Sequence, residues 1–192
     1  MTSQSTGFFS SCFMHVPSFA QIVFAEGQQL CRMVDTFDKI RYNTANERKA
    51  QAAMETDLLR AKEILETENR TCVLCKGERR YDSDQRGVKP LLAWLDAGVD
   101  VMGFSAADKV VGRGAAFLYR LLGVRRVHGG VMSVAAVKVL RAGGIETSWD
   151  LLTEGIRNRK GDGPCPMEAA TAGCAEPEEA LAAIRIALDG LK

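Results

Sequence analysis

The residues best suited to chemistry concentrate in one segment, 157–168, which reads RNRKGDGPCPME. Arg159, Lys160 and Asp162 crowd this stretch, and Glu168 ends it. The glycines and prolines between them impose backbone conformations, so the segment is too charged and too constrained for a passive linker. We expect it to fold over a binding site, with Arg159, Asp162 and Glu168 as candidate ligand-binding residues.

Cys165 lies between two prolines in this segment, at the start of a predicted short helix. Nearby cations and a helix N-terminus lower the pKa of a thiol, which favours a reactive thiolate. Cys165 is therefore a candidate nucleophile. A second interpretation stays open, in which it is a small apolar side chain beneath a rigid loop. No histidine lies close in sequence to act as its base.

Asp108 and Lys109 form a second candidate pair, at the start of a predicted central helix. Ser105 and Asp108 have the spacing of a capping box, which gives Asp108 a structural role as an alternative. The helix dipole disfavours a cation such as Lys109 at this position, so Lys109 is expected to meet an anion there. We take Asp108 and Lys109 as candidate catalytic residues and Ser105 as a candidate ligand-binding residue.

His128 ends a predicted strand, directly before Gly129 and Gly130. It is expected to line the same crevice, although a structural role for a single histidine stays open. Cys72 and Cys75 form a C-x-x-C on a predicted strand, where residues three apart point to opposite faces. No second pair supplies further ligands, so the sequence predicts no zinc site and no cofactor.

These residues depend on a strand–helix unit between Val99 and Gly123. Val99–Phe104 has the composition of a buried strand, and from Ala107 to Leu122 apolar residues recur at helical steps. Gly112 and Gly114 are expected to let this helix approach a sheet, and Gly123 to end it. In such units ligands bind between the carboxyl end of the strand and the helix N-terminus.

The remaining elements alternate in the order of an α/β fold with a mixed five-stranded sheet, in which a hairpin precedes the parallel strands, and with helices on both faces. Ser133 is expected to cap one helix, and Pro90 fits the first turn of another. The predicted helices and strands outside the central unit are Asp57–Glu68, Thr71–Leu74, Arg79–Tyr81, Gly87–Asp96, Val124–His128, Ser133–Arg141, Ile145–Trp149, a helical turn at Thr153–Asn158, and Pro177–Leu191.

Composition narrows the class of protein. The chain has 192 residues and a net charge of +1, with no basic stripe for nucleic acid and no apolar run that could span a membrane. Its six cysteines are expected to be reduced thiols in a cytoplasmic protein. In residues 1–53 the apolar residues recur without a clear period, and this segment is predicted to be a weakly ordered or partly helical extension. A domain over 54–192 is expected to follow it. A homo-oligomer is compatible with this sequence.

Two motifs carry a resemblance to a known family. Ala107–Gly112 (ADKVVG) and Asn158–Glu168 (NRKGDGPCPME) resemble a small, uncharacterised prokaryotic family grouped with cytidine-deaminase-like folds. The resemblance covers about Met54 to Thr171. It implies a three-layer cytidine-deaminase-like fold and no assigned reaction.

The zinc-deaminase motifs are absent from the expected places. Zinc deaminases carry His-x-Glu and Pro-Cys-x-x-Cys at two helix starts, where this chain has Gly87–Lys89 and Ala106–Lys109. Pro164–Cys165 comes after the last strand, with Glu168 where a second cysteine would stand. We therefore expect a zinc-free domain that binds a small anionic or nucleotide-like ligand, as a regulator or sensor. The alternatives are an enzyme using Cys165 or Asp108 with Lys109 for group transfer or hydrolysis, and a structural interaction module.

Overall fold

The structure is a computed structural model that describes residues 46–158 and 160–191. The chain divides into two compact units, Met1–Arg48 and Lys49–Lys192. The described residues of the first unit, 46–48, are helical. The fold below is that of the second unit.

Five strands form one mixed sheet in the order β2-β1-β3-β4-β5. β1 pairs antiparallel with β2 and with β3, whereas β3, β4 and β5 are parallel. This confirms the predicted five-stranded mixed sheet and its hairpin. The strands are β1 Cys72–Lys76, β2 Arg79–Ser83, β3 Ser105–Val111, β4 Arg126–Ser133 and β5 Glu146–Thr153.

Helices cover both faces of the sheet, which makes three layers. The helices are α1 at 46–67, α2 Lys89–Asp96, α3 Arg113–Leu122, α4 Val134–Ala142, α5 Pro166–Ala170 and α6 Pro177–Asp189. On one face α1 packs against β1 and β3 through a small cluster that includes Ala61, Val73 and Ala107. On the other face the larger core joins residues of the sheet, such as Leu74, to residues of α2, α3, α4, α5 and α6.

The central strand lies later in the chain than predicted. Val99–Phe104 is not a strand, because Gly98 and Gly103 have φ angles of 62° and 75° and Phe104 N–H closes a turn on Val101. β3 is instead Ser105–Val111, and α3 begins at Arg113. Ser105 and Asp108 therefore both lie within β3, where they pair with residues of β1 and β4, and they form no capping box.

Two neighbouring predictions also change. β4 extends beyond the predicted Val124–His128 to Ser133, so His128 lies inside the strand and not at its end. The helical turn predicted at Thr153–Asn158 is wrong, since Thr153 ends β5 and residues 154–158 bend towards a bridge between Arg157 and Pro164.

Local capping signals are confirmed. The Ser133 hydroxyl accepts a hydrogen bond from Ala136 N–H and caps α4. Gly123 ends α3 with a φ of 67°, a conformation that costs glycine little. Pro90 lies in the first turn of α2, where a missing N–H removes no helical bond.

Candidate functional site

A cleft of about 1220 Å³ opens at the carboxyl end of β3. Its walls are the start of α2, the loop after β5, the helix α5 and the end of α6. Five of the residues predicted to form the site line it, together with Lys160 of the same loop. These five are Asp108, Lys109, Asp162, Cys165 and Glu168.

Three predicted residues are placed elsewhere or not described. Ser105 is at the amino end of β3, where its hydroxyl donates to the carbonyl of Met54 in α1 at 3.2 Å. His128 lies on β4, paired with Ala107, and does not line the cleft. Both residues were expected at the carboxyl ends of their strands, and the later register of β3 and the greater length of β4 remove them from that edge. Arg159 lies outside the described residues.

Asp108 lies on the cleft floor and is only 7% exposed. Its Oδ1 accepts a hydrogen bond from Val110 N–H at 3.0 Å, and its Oδ2 accepts one from the Tyr119 hydroxyl at 2.9 Å. Burial raises the pKa of this carboxyl from 3.8 to about 6, against the opposing effect of these hydrogen bonds. The group thus titrates close to neutral pH.

Tyr119 and Cys72 extend this network into the core. The Cys72 sulfur is 3.1 Å from the Tyr119 hydroxyl oxygen, and both side chains are buried. Burial raises the pKa of the Cys72 thiol and of the Tyr119 hydroxyl well above their usual values. Both are therefore neutral at pH 7, and Asp108 is the only member of the three that ionises there.

Glu168 occupies the N-terminus of α3. One of its carboxylate oxygens accepts from Arg113 N–H at 3.3 Å, and the other accepts from Ile156 N–H at 2.5 Å. The N-cap of α3, Gly112, has no side chain to perform this role. A carboxylate at that place satisfies a free N–H and interacts favourably with the helix dipole. Glu168 thus fills the anion position that the sequence suggested for a ligand.

Gly112 and Gly114 allow close packing of the loop after β5 and of α5, and not of the sheet. A Cβ on Gly112 would lie 3.2 Å from Ile156, and one on Gly114 would lie 3.2 Å from Met167. The predicted close approach is therefore real, but the neighbour is the wall of the cleft. Arg113 completes the attachment of α5, because its guanidinium donates to the carbonyl of Ala172 at 2.5 Å.

The charged loop before α5 is folded on itself. Asn158 N–H bonds Gly163 O at 2.9 Å, and the Asn158 amide donates to Asp162 Oδ1 at 2.7 Å. Gly161 has a φ of 75°, which closes this turn. The loop holds Asp162 and Lys160 on the cleft wall.

Cys165 is the N-cap residue of α5 and is half-buried. It lines the cleft and also packs against the larger core. Its backbone N–H bonds Ile156 O at 2.8 Å, so its position is fixed by the backbone.

Lys109 reaches the side of the cleft nearest α1. Its ammonium donates to Asn69 Oδ1 at 2.7 Å. Asn69 follows α1 with a φ of 51°, a left-handed conformation that asparagine tolerates.

Two cations of the cleft were missed in the sequence. Arg86 and Lys89 line it on either side of the turn that begins α2. The available signal was a pair of basic residues beside Gly87 at the start of a predicted helix. Like Lys160, they form no hydrogen bond or ion pair with any residue of the described part of the chain.

His128 belongs to a separate polar cluster on the α1 face of the sheet. Its Nδ1 lies 3.0 Å from the Ser148 hydroxyl and its Nε2 lies 3.2 Å from Asp150. Lys62 of α1 is 3.7 Å from Asp150. Both ring nitrogens are thus engaged within the protein.

The C-x-x-C pair divides between the two faces of β1, as predicted. Cys72 belongs to the larger core and Cys75 to the cluster beneath α1. Among the described residues no three His, Cys, Asp or Glu side chains form a group that could hold a metal ion. In the same part of the chain, no helix has the length and apolar character needed to cross a membrane.

These features define a small α/β protein with a mixed sheet and a partly cationic cleft at the end of its central strand. The chain belongs to the family described as TM1506, domain of unknown function (DUF1893), whose model matches residues 60–188. This confirms the predicted membership of an uncharacterised family.

Solved structures give two similarities. A DUF1893 family protein (TM1506) from Thermotoga maritima is 29% identical, with a TM-score of 0.61 over 69% of this chain and 89% of that chain. A diaminohydroxyphosphoribosylaminopyrimidine deaminase/5-amino-6-(5-phosphoribosylamino)uracil reductase from Thermotoga maritima is 14% identical, with a TM-score of 0.34 over 55% of this chain and 37% of that chain. A search of curated proteins gives no match.

Proposed function

We propose that the protein binds a small anionic, nucleotide-like ligand in the cleft at the end of β3, without zinc. The observation that carries this proposal is the charge left uncompensated on the cleft wall. Arg86, Lys89 and Lys160 line the cleft and have no partner among residues 46–158 and 160–191. We call these three residues the cationic rim.

Three acidic residues of the cleft are engaged by groups other than this rim. Asp96 pairs with Arg185 at 2.5 Å, and both oxygens of Glu168 accept backbone hydrogen bonds. Asp162 accepts from Asn158. A ligand anion is therefore the group that would complement the rim.

The start of α2 supports the same conclusion. Its N-cap, Val88, provides no side-chain hydrogen bond, and its first turn contains no acidic residue. Gly87, Val88 and Lys89 all line the cleft, so the free N–H groups of this turn lie beside the rim. Free N–H groups and a helix dipole next to cations favour phosphate or carboxylate.

Calorimetric titration and thermal unfolding test this proposal, with inorganic phosphate, ribose 5-phosphate, and the 5′-monophosphates of adenosine, guanosine and cytidine as probes. We expect at least one phosphorylated probe to raise the melting temperature, since a ligand at about 100 times its Kd adds roughly 2.7 kcal/mol to stability. Affinity should fall as salt is raised.

Lys89→Ala should weaken binding of every such probe about tenfold or more, which is the loss expected for one charge-assisted hydrogen bond. Lys138→Ala is the matched control, because Lys138 is an exposed lysine on α4 outside the cleft. If no probe binds at millimolar concentration, or if both variants lose affinity equally, the proposal is wrong.

We also propose a cytoplasmic location. The described cysteines Cys72, Cys75, Cys165 and Cys174 are free thiols, which suits a reducing compartment.

A further inference from the structure

The buried carboxylate of Asp108 has no cationic partner. No salt bridge reaches it from any described residue, and its contacts are Val110 N–H, Tyr119 and Cys72. A buried ionised carboxylate is costly unless charge or hydrogen bonds compensate it. Asp108 lines the cleft floor, so a ligand in the cleft could supply the hydrogen bonds or charge that the protein does not.

The hydrogen-bond directions show what chemistry would meet this requirement. Tyr119 has a single hydroxyl proton, which it donates to Asp108, so the Cys72 thiol must donate to the Tyr119 oxygen. Val110 N–H and Tyr119 then occupy one acceptor site each, and the Cys72 thiol occupies at most a third. A carboxylate has about four acceptor sites, so at least one stays free. Only a donor group can use such a site.

The cationic rim therefore suits an anionic group of a ligand, and the cleft floor suits a hydrogen-bond donor of the same ligand. The rim presents cations beside the start of α2, whereas the floor carries the Asp108 carboxylate. No residue of the rim contacts Asp108, so these two demands are made at separate points of the cleft.

We infer that the ligand carries an anionic group for the cationic rim and N–H donors, as an amine, amide or amidine, that bind the Asp108 carboxylate. This inference rests on the proposed function and narrows it to phosphorylated or carboxylated molecules that also bear an amino group. A plain sugar phosphate supplies the anion and hydroxyl donors, but no N–H donor.

The test compares probes that share a phosphate and differ in their N–H donors. The 5′-monophosphates of adenosine, guanosine and cytidine are titrated beside ribose 5-phosphate, each into wild type, Asp108→Asn and Lys89→Ala. At least one amino-bearing nucleotide should bind wild type tenfold or more tighter than ribose 5-phosphate, because an unpaired N–H donor or acceptor is strongly rejected.

Asp108→Asn should remove this preference, since it replaces one acceptor oxygen by an NH2 group. Lys89→Ala should instead weaken all four probes by a similar factor. Thermal unfolding of Asp108→Asn verifies that it is folded, and Asp84→Asn, an exposed carboxylate outside the cleft, is the control.

The outcomes separate the two proposals. If ribose 5-phosphate binds and no amino-bearing nucleotide exceeds it, or if Asp108→Asn keeps the preference, this inference is overturned while the proposed anion site stands. If neither ribose 5-phosphate nor any nucleotide binds wild type, the anion site fails, and the inference fails with it.

Discussion

Replacing Asp108 by asparagine should make the protein more stable at neutral pH. Asparagine keeps one acceptor for Val110 N–H, and its NH2 group can donate to the Tyr119 oxygen, which then donates to Cys72. The network stays satisfied while the buried charge is removed. The variant therefore isolates the free energy that the ionised carboxylate costs the fold.

The size of the effect follows from the pKa of Asp108, which burial raises from 3.8 to about 6. A carboxyl with a higher pKa in the folded state binds its proton more tightly there, so wild type loses stability as pH rises from about 4 to 6. This rise in the pKa corresponds to about 3 kcal/mol at pH 7, roughly half as much at pH 5 and little at pH 4.

Urea unfolding of wild type and Asp108→Asn between pH 4 and pH 8 measures this difference. The advantage of the variant should be greatest above pH 7 and should nearly vanish at pH 4, where the wild-type carboxyl is largely protonated in the folded state. Asp84→Asn should change stability by less than about 0.5 kcal/mol at every pH, as exposed substitutions do. A stability gain of Asp108→Asn that does not depend on pH, or a loss of stability at pH 7, would refute the conclusion that Asp108 is ionised at a cost to the fold.

Four further expectations follow from single contacts. Ser133→Ala should cost about 1 kcal/mol in urea unfolding, because the cap of α4 is lost; no change would mean that solvent replaces it fully. Glu168→Ala should cost about 2 kcal/mol and speed tryptic cleavage of the loop before α5, since two backbone N–H groups lose their acceptor; equal cleavage rates would contradict this. Protein purified without chelators should contain far less than one zinc per chain by elemental analysis, because Cys72 and Cys75 face opposite sides of the sheet; a stoichiometric amount would overturn the zinc-free proposal. A chain that begins at Met54 should unfold within about 1 kcal/mol of the full chain, since every fully buried residue described in α1 follows Met54; failure to fold would place the domain start earlier.

Short-range signals in the sequence predicted the fold well. The Ser133 cap, the left-handed Gly123 and the hairpin depend on residues close in the chain, and each is confirmed. The central strand was misplaced because Ser105 and Asp108 are polar and resemble a turn. Their partners, Met54 and Tyr119, lie 51 and 11 residues away, so the sequence did not show that a strand could bury them.

The position of the cleft was predicted in part for the same reason. The loop after β5 and the end of β3 meet in one cleft, as the topology of a parallel sheet suggested. The role of Glu168 could not be foreseen, because its partner Arg113 is 55 residues away and the start of α3 was placed wrongly. Arg86 and Lys89 were visible as basic residues beside a predicted helix start, but the chain alone did not bring them to the cleft.

Two of the helices that begin at the cleft, α2 and α3, explain where a ligand anion would bind. Both lack a capping side chain at the N-cap position, and both start beside the same cavity. Glu168 already supplies a carboxylate to α3, so that end of the cleft would repel a second anion. The start of α2 has no acid in its first turn and carries Lys89. The anionic group of a ligand should therefore face α2, which leaves the donor end of the same molecule to reach Asp108 on β3.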